Sequence, residues 1–298
     1  MDYDCAVIGA GPAGLHCGTY LGRYLRSCVI FDGGRPRASW IPATHNFPCF
    51  PSGLPGNELL AKLRQQTLMY GAQIRRERVA SIEAVDGTFT VRTDSSDTVV
   101  RKVVFATGVW DIPPHVPDAD HYKGTTIRHC PICDAYESRG RKLVLFGSGN
   151  HAAMEALWMA HYSDDPAILT CGHGTRSEID PQLLKRLDEK GIPIIEQPVV
   201  GIEENGDELG TVLLEDGAKI ESVFRGYSTM GLKPHSDVAR KMGIGLDPEG
   251  YIKVDQDQQT NMPGVYAVGD IVSGDVAQIV VAFGHVAIAT IHIHNSLR

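Results

Sequence analysis

The run Tyr3-Asp4-Cys5-Ala6-Val7-Ile8 leads directly into Gly9-Ala10-Gly11-Pro12-Ala13-Gly14, and Leu15 to Leu25 then has the composition of a helix. No other stretch limits the fold as tightly. A short apolar run suits a strand buried on both faces of a parallel sheet. In the G-x-G-x-x-G spacing, Gly9 permits the sharp turn, Gly11 lets a pyrophosphate approach the backbone, and Gly14 lets helix and strand pack closely. The helix N-terminus turns its free N–H groups toward that anion. A second apolar run, Cys28 to Phe31, ends at Asp32, about 20 residues on, where an acid hydrogen-bonds a ribose.

The same device occurs again. Lys142 to Phe146 reads as a strand, Gly147-Ser148-Gly149-Asn150-His151-Ala152 as its loop, and His151 to His161 as its helix. Ala152 in the third position still allows close packing. The next strand, Ala167 to Thr170, ends in Cys171-Gly172-His173-Gly174-Thr175-Arg176. No acid stands there for an NAD ribose, and only Arg176 is available to a 2′-phosphate. Two fragments complete the first copy: Val103 to Gly108 (VVFATG) and Gly264 to Asp270 (GVYAVGD). With the first loop they point to FAD there rather than a nicotinamide.

The fold class expected is therefore α/β, with two Rossmann-like three-layer nucleotide-binding domains, the FAD domain being discontinuous. Its first part is expected over residues 1–114 and its second over 237–298, around an inserted region, 115–236. Pro113, Pro114 and Pro117 mark the first linker. Helices are expected over Asn57 to Tyr70, over Asp180 to Lys190 and at the C-terminus. Short strands are expected from Ala72 to Val104, with a turn at Asp86-Gly87, and one over Tyr251 to Val254.

Cys130-Pro131-Ile132-Cys133 opens the inserted region's chemistry. The chain has 298 residues and a net charge of −8, which argues against sequence-independent nucleic-acid binding. Its start is acidic, with no basic and apolar leader, so no signal peptide is expected. The late apolar run Val276 to Ile293 is broken by Gln278, His285 and His292 and reads as a poor membrane span. Seven scattered cysteines, an odd number, do not resemble a secreted disulfide framework, so a reducing, cytoplasmic setting is expected. A zinc site would need a second CxxC or suitably spaced histidines; neither is present, and no metal is expected. Redox exchange is the leading reading of the pair. Cys49 is expected to be a small buried side chain, and His285, His292 and His294 to be capped or surface histidines, with a place near the flavin the alternative for His285.

These pieces, in this order, resemble the low-molecular-weight thioredoxin reductase family of flavin disulfide oxidoreductases over essentially the whole chain. The resemblance is carried by GAGPAG at Gly9 to Gly14, HNFP at His45 to Pro48, FATG at Phe105 to Gly108, CPICDAYE at Cys130 to Glu137, GSGNHA at Gly147 to Ala152 and YAVGD at Tyr266 to Asp270. A CxxC just before the second glycine loop is specific to that family. The resemblance implies an FAD cradle of Gly9, Gly11, Pro12, Ala13, Gly14, Asp32, Asn46 and Asp270. Ala106, Thr107 and Gly108 of the FATG turn, Gly269 and Gln278 near the flavin's pyrimidine edge complete that set. It further implies that Cys133 is the sulfur next to the flavin, that Cys130 attacks the substrate, and that Asp134 protonates the departing thiolate. An N-terminal cap is the competing role for Asp134. Thioredoxin or a small disulfide or dithiol is the implied partner, and a homodimer the implied assembly.

The chain departs from the family where the nicotinamide should bind. NADPH-using members carry a His-Arg-Arg…Arg cluster where this chain has Cys171 to Arg176. That resembles the pyridine-nucleotide-independent relatives, whose donor can be ferredoxin, and also the dithiol oxidases that pass electrons to oxygen. Those oxidases tend to have His after the second cysteine, where this chain has Asp134. Reduction of a disulfide is therefore the leading expectation; a flavin dithiol oxidase and an ordinary NADPH-dependent thioredoxin reductase are the alternatives.

Overall fold

The computed structural model describes residues 1–274 and 276–298. They form two compact units: Met1–Ala43, Leu54–Trp110 and Lys233–Arg298 make the first, and Thr44–Gly53 with Asp111–Leu232 the second. The chain crosses between them at 110/111 and 232/233, beside the borders expected at 114/115 and 236/237. The segment Thr44–Gly53, expected with the first domain, packs with the second unit.

In the first unit the strands Gln73–Arg75, Cys28–Phe31, Tyr3–Ile8 and Asp97–Phe105 lie side by side and parallel, and Val265–Ala267 pairs with the last of them. Cys28–Phe31 and Val265–Ala267 are buried at every residue, as continuous apolar runs between helical layers should be. The first half of Asp97–Phe105 also carries an antiparallel hairpin, Val79–Val85 with Thr88–Thr93, turned at Asp86-Gly87 as expected. The longer helices are Pro12–Arg23, Gly56–Met69 and Ile279–Ser296, with a short one at Asp237–Lys241.

One expectation needs correction here. Tyr251 to Val254 forms no strand; Ile252 makes only isolated bridges to Leu246 and Val272. The helix Ile279–Ser296, in the region expected to be a poor membrane span, is by length and composition alone apolar enough to cross a bilayer, with a mean hydropathy of 1.3, a character that a core helix of a soluble protein shares. Gln278 lies outside it as the cap, and His285 is on its buried face with Ala282, Val286 and Ala289.

The second unit repeats the plan. Its parallel sheet runs Ile194–Ile195, Pro166–Leu169, Leu143–Phe146, Arg225–Ser228 and Ile127–Arg128, beside a separate antiparallel sheet of Val199–Asn205, Glu208–Leu214 and Lys219–Val223. Gly149–Met159 follows the second glycine loop, and Pro181–Glu189 begins where Asp180 accepts a hydrogen bond from the Gln182 N–H at 2.8 Å.

Glu155 of Gly149–Met159 is half-buried; its Oε1 lies 3.5 Å from His151 Nε2, and its buried Oε2 meets no partner among the described residues. Burial pushes its carboxyl up to about 7. The folded state therefore binds more protons than the unfolded chain between the ordinary carboxyl range and pH 7, so stability falls as pH rises through that window. Glu155→Gln is expected to stabilise the protein by about 2 kcal/mol near pH 8 and by little near pH 5. Thermal melts at both pH values check this; an equal gain at each would contradict it.

Candidate active site

In the first unit the candidate site is set by register. Ile8 lies level with Phe31 and Phe105, and Phe105 level with Ala267. Gly9, Asp32, Ala106 and Val268 therefore leave the sheet along one edge, with Gly269 and Asp270 next in the chain. This is the carboxyl edge at which open parallel sheets bind ligands.

Close approach decides the glycine loop. A Cβ on Gly14 would meet Gly9 O at 1.8 Å, whereas one on Gly11 would find nothing nearer than Pro36 Cβ at 3.7 Å. Gly14 is thus needed for packing, and Gly11 keeps its surface open. Pro12 and Ala13 begin the helix, whose cap, Gly11, has no side chain and whose first turn has no acid. Its leading N–H groups face that opening without a competing carboxylate.

Around this edge, Asp32 is buried and its Oδ2 accepts from Arg64 Nη2 at 2.6 Å, while Oδ1 accepts from the Gly34 N–H at 3.3 Å. Asp270 pairs with Arg37 at 3.4 Å. Gly108 has a φ of 63°. Gln278 caps the last helix and its Nε2 donates to Ala277 O at 3.0 Å. Thr107 Oγ1 is buried and has no hydrogen-bond partner among the described residues. A buried hydroxyl left so costs about 1–3 kcal/mol, a cost removed by a bound group that meets it. An open Gly11, an uncapped helix start and an orphaned Thr107 hydroxyl fit a dinucleotide.

Sequence reasoning missed Arg64 and Arg37, and it favoured a capped or surface position for His285 over one near the flavin. His285 is 7% exposed, not a surface residue, and its Nδ1 accepts from the Gly269 N–H at 3.2 Å. Nothing in the sequence links positions so far apart.

The second unit carries its own set of candidate residues. Cys130 and Cys133 are disulfide-bonded, with Cα atoms 5.3 Å apart. Cys130 starts the single helical turn Pro131–Asp134, and the Cys133 N–H donates to Cys130 O at 3.0 Å. Asn46, expected in the FAD cradle, sits in this unit, where its Nδ2 donates to Ile132 O at 3.4 Å and its Oδ1 accepts from Thr44 Oγ1 at 2.8 Å. Cys49 is exposed, contrary to expectation, in a backbone turn with φ of 72°.

Asp134 makes no cap hydrogen bond to either adjoining helical turn. Its carboxyl instead faces inward, where Tyr227 Oη donates to Oδ1 at 3.0 Å and Arg128 Nε lies 3.6 Å from Oδ2. Burial pushes this carboxyl up to about 6; Arg128 and the Tyr227 hydrogen bond oppose that rise. An acid poised there can hold a proton near neutrality and release it.

The second glycine loop has a neighbour the first lacks. Gly174 comes so close that a Cβ on it would lie 2.5 Å from Ser148 Cβ. Asn150 Oδ1 accepts from the Asp180 N–H at 2.7 Å, and the His115 and His173 rings stack at 3.9 Å. Arg176 Nη2 donates to both Asp188 carboxylate oxygens at 2.5 Å, and its backbone N–H to Glu196 Oε1 at 2.6 Å.

A dinucleotide edge in one unit and a redox-ready CxxC with a buried acid in the other define an FAD-dependent disulfide oxidoreductase. The match to the pyridine nucleotide-disulphide oxidoreductase family runs over residues 3–285, so the chain belongs to that family, in its low-molecular-weight thioredoxin reductase-like branch. It is 29% identical to a thioredoxin reductase of Listeria innocua, over 95% of this chain and 90% of the relative. It is 28% identical to NADPH-dependent thioredoxin reductase 3 of Arabidopsis thaliana over 97% of its own length, spanning 57% of that longer protein. The crystal structure of thioredoxin reductase from Streptococcus pyogenes superposes with a TM-score of 0.91 at 25% identity, covering 99% of this chain and 98% of that one.

The contrast between two glycines gives a test of the cradle. Gly14→Ala is expected to prevent folding of the first unit, whereas Gly11→Ala should fold and melt within a few degrees of the parent but lose most of its flavin. Circular dichroism, melting and the flavin-to-protein absorbance ratio distinguish them; full flavin in Gly11→Ala would place the pyrophosphate elsewhere.

Proposed function

We propose that the chain passes electrons between FAD, the Cys130/Cys133 pair and thioredoxin or a small disulfide, and that its electron donor is not NADPH. FAD supplies the two-electron reservoir when bound in the first unit, where Gly9, Gly11 to Gly14, Asp32, Ala106 to Gly108, Gly269, Asp270 and Gln278 would hold it. In the reduced pair, the Cys130 thiolate attacks a substrate disulfide, forming a mixed disulfide and expelling a thiolate, to which Asp134 gives its proton. The Cys133 thiolate then attacks the Cys130 sulfur, expels the second substrate thiolate and re-forms the Cys130–Cys133 bond. Two electrons leave the pair for each substrate disulfide reduced.

The choice of donor rests on one observation: the segment Cys171 to Arg176 lies against the second glycine loop, and its only arginine is already engaged. Arg176 sits with Asp188 and Glu196, so a 2′-phosphate would meet two carboxylates and one shared guanidinium. Ferredoxin or a dithiol fits a chain without that nucleotide. NADPH use is the second reading, favoured by the Arabidopsis relative and by the complete strand–loop–helix around Gly147 to Ala152. A homodimer in a reducing cytoplasm completes the proposal, and light scattering of the holoenzyme tests its first part.

Cys130→Ser and Cys133→Ser are each expected to abolish disulfide turnover with FAD retained, because exchange needs an attacking and a resolving sulfur. Near-parental turnover by either variant, in an assay with a small aromatic disulfide, would remove the pair from the route.

NADPH and NADH should bleach the oxidised flavin band slowly in stopped-flow mixing, and ferredoxin or a dithiol should bleach it fast. Each missing Arg–phosphate contact is on the order of 1.5–3 kcal/mol, so two lower affinity by roughly two to four decades. Rapid bleaching by NADPH would establish the ordinary NADPH-dependent reaction; fast reduction by a dithiol with oxygen as the only effective acceptor would establish a dithiol oxidase.

A further inference from the structure

Two neighbouring parallel strands, Ile127–Arg128 and Arg225–Ser228, pair Arg128 with Tyr227 in register. Both side chains reach the residue that follows the second cysteine. Tyr227 is wholly buried, so its hydroxyl needs partners inside the protein. It donates to Asp134 Oδ1 at 3.0 Å and lies 3.4 Å from the Asp134 main-chain O. Ser138 Oγ is 3.0 Å from Tyr227 Oη. A phenol has one proton; with that proton directed at Asp134, Ser138 must be the donor in its own contact. Arg128 Nε faces the other carboxylate oxygen at 3.6 Å, while its Nη1 is tied to Gly124 O at 3.0 Å.

We infer that Tyr227, oriented by Ser138, and Arg128 are positioning residues that hold the carboxyl of Asp134, the residue after Cys133, in one orientation for its proton transfer. The inference rests on the reading of Asp134 as the acid. Each partner acts through Asp134. Two other charged groups bear on the carboxyl: Glu137 in the following turn, which raises its pKa, and Arg225 at the start of the second strand, which lowers it. Arg225 gives its Nη1 to the Asp207 and Phe224 carbonyls, which leaves the direct contacts to Tyr227 and Arg128.

Tyr227 favours the ionised carboxyl, because a donor stabilises the acceptor that carries charge. Tyr227→Phe keeps the packing volume and removes only that hydroxyl. Its effect is an upward shift of the Asp134 midpoint, on the order of one pH unit, since a hydrogen bond to a charged group has that worth. Ser138→Ala shifts the midpoint the same way by less.

The test is a carbon-13 NMR titration of the oxidised holoenzyme labelled at aspartate side chains, with the Asp134 signal assigned by its loss in Asp134→Asn. Alongside it, re-oxidation of the dithionite-reduced holoenzyme by a small aromatic disulfide is followed against pH. The expected result is a raised midpoint in Tyr227→Phe, a matching displacement of the rate profile, and no further change when Tyr227→Phe is added to Asp134→Asn. An unmoved midpoint in a folded, flavin-loaded Tyr227→Phe would overturn the positioning role. If instead Asp134→Asn left the rate profile intact, the acid assignment itself would fail, and the midpoint shift would be a structural effect alone.

Discussion

Everything in the first unit depends on the parallel register that brings Ile8, Phe31, Phe105 and Ala267 into one row. Side chains in that row are buried, so a slip of one residue would turn apolar groups to the wrong face and scatter the loops that follow. Held in register, four separate segments deliver a glycine turn, an acid, a small-residue turn and a Gly-Asp pair to the same edge. The close contact between Gly14 and Gly9 then fixes the helix against that edge. Binding geometry here is a consequence of core packing.

The second unit has the same row, with Phe146 level with Leu169 and Ser228, and a similar glycine turn after it. Its edge is occupied differently. Gly174 rests on Ser148, Asn150 is bonded to the backbone of Asp180, and the Arg176 side chain is shared with Asp188. A surface ion pair of that kind contributes little to stability, roughly 0–1 kcal/mol. Its consequence is for recognition, since carboxylates stand where a phosphate would need cations. The same strand–loop–helix frame can therefore be kept for packing while the ligand chemistry on its edge changes.

Asp134 shows burial and neighbours acting in opposition. Desolvation raises its pKa, while Arg128 and the Tyr227 hydroxyl restrain the rise, leaving the group near 6. A fully exposed carboxyl would have given up its proton well below neutrality, and an unpartnered buried one would hold it too tightly to release. The intermediate value follows from placing the CxxC turn over two strands whose side chains are already committed to the core.

Local spacing in the chain was enough to determine both glycine loops, the strands that feed them, the Asp86-Gly87 turn and the CxxC. Turn geometry and strand periodicity are short-range, so neighbouring residues carry the information. The absence of an arginine cluster after Thr170 was legible for the same reason. What engages Asp134, Asp32 and Asp270 was not: Tyr227 lies 93 residues from Asp134, and Arg37 lies 233 from Asp270. Nor could the chain alone show that Cys49 is exposed, that His285 is buried against Gly269, or that Tyr251 to Val254 forms no strand. Those outcomes depend on which surfaces meet once distant strands pair, and burial and electrostatic environment exist only after that pairing.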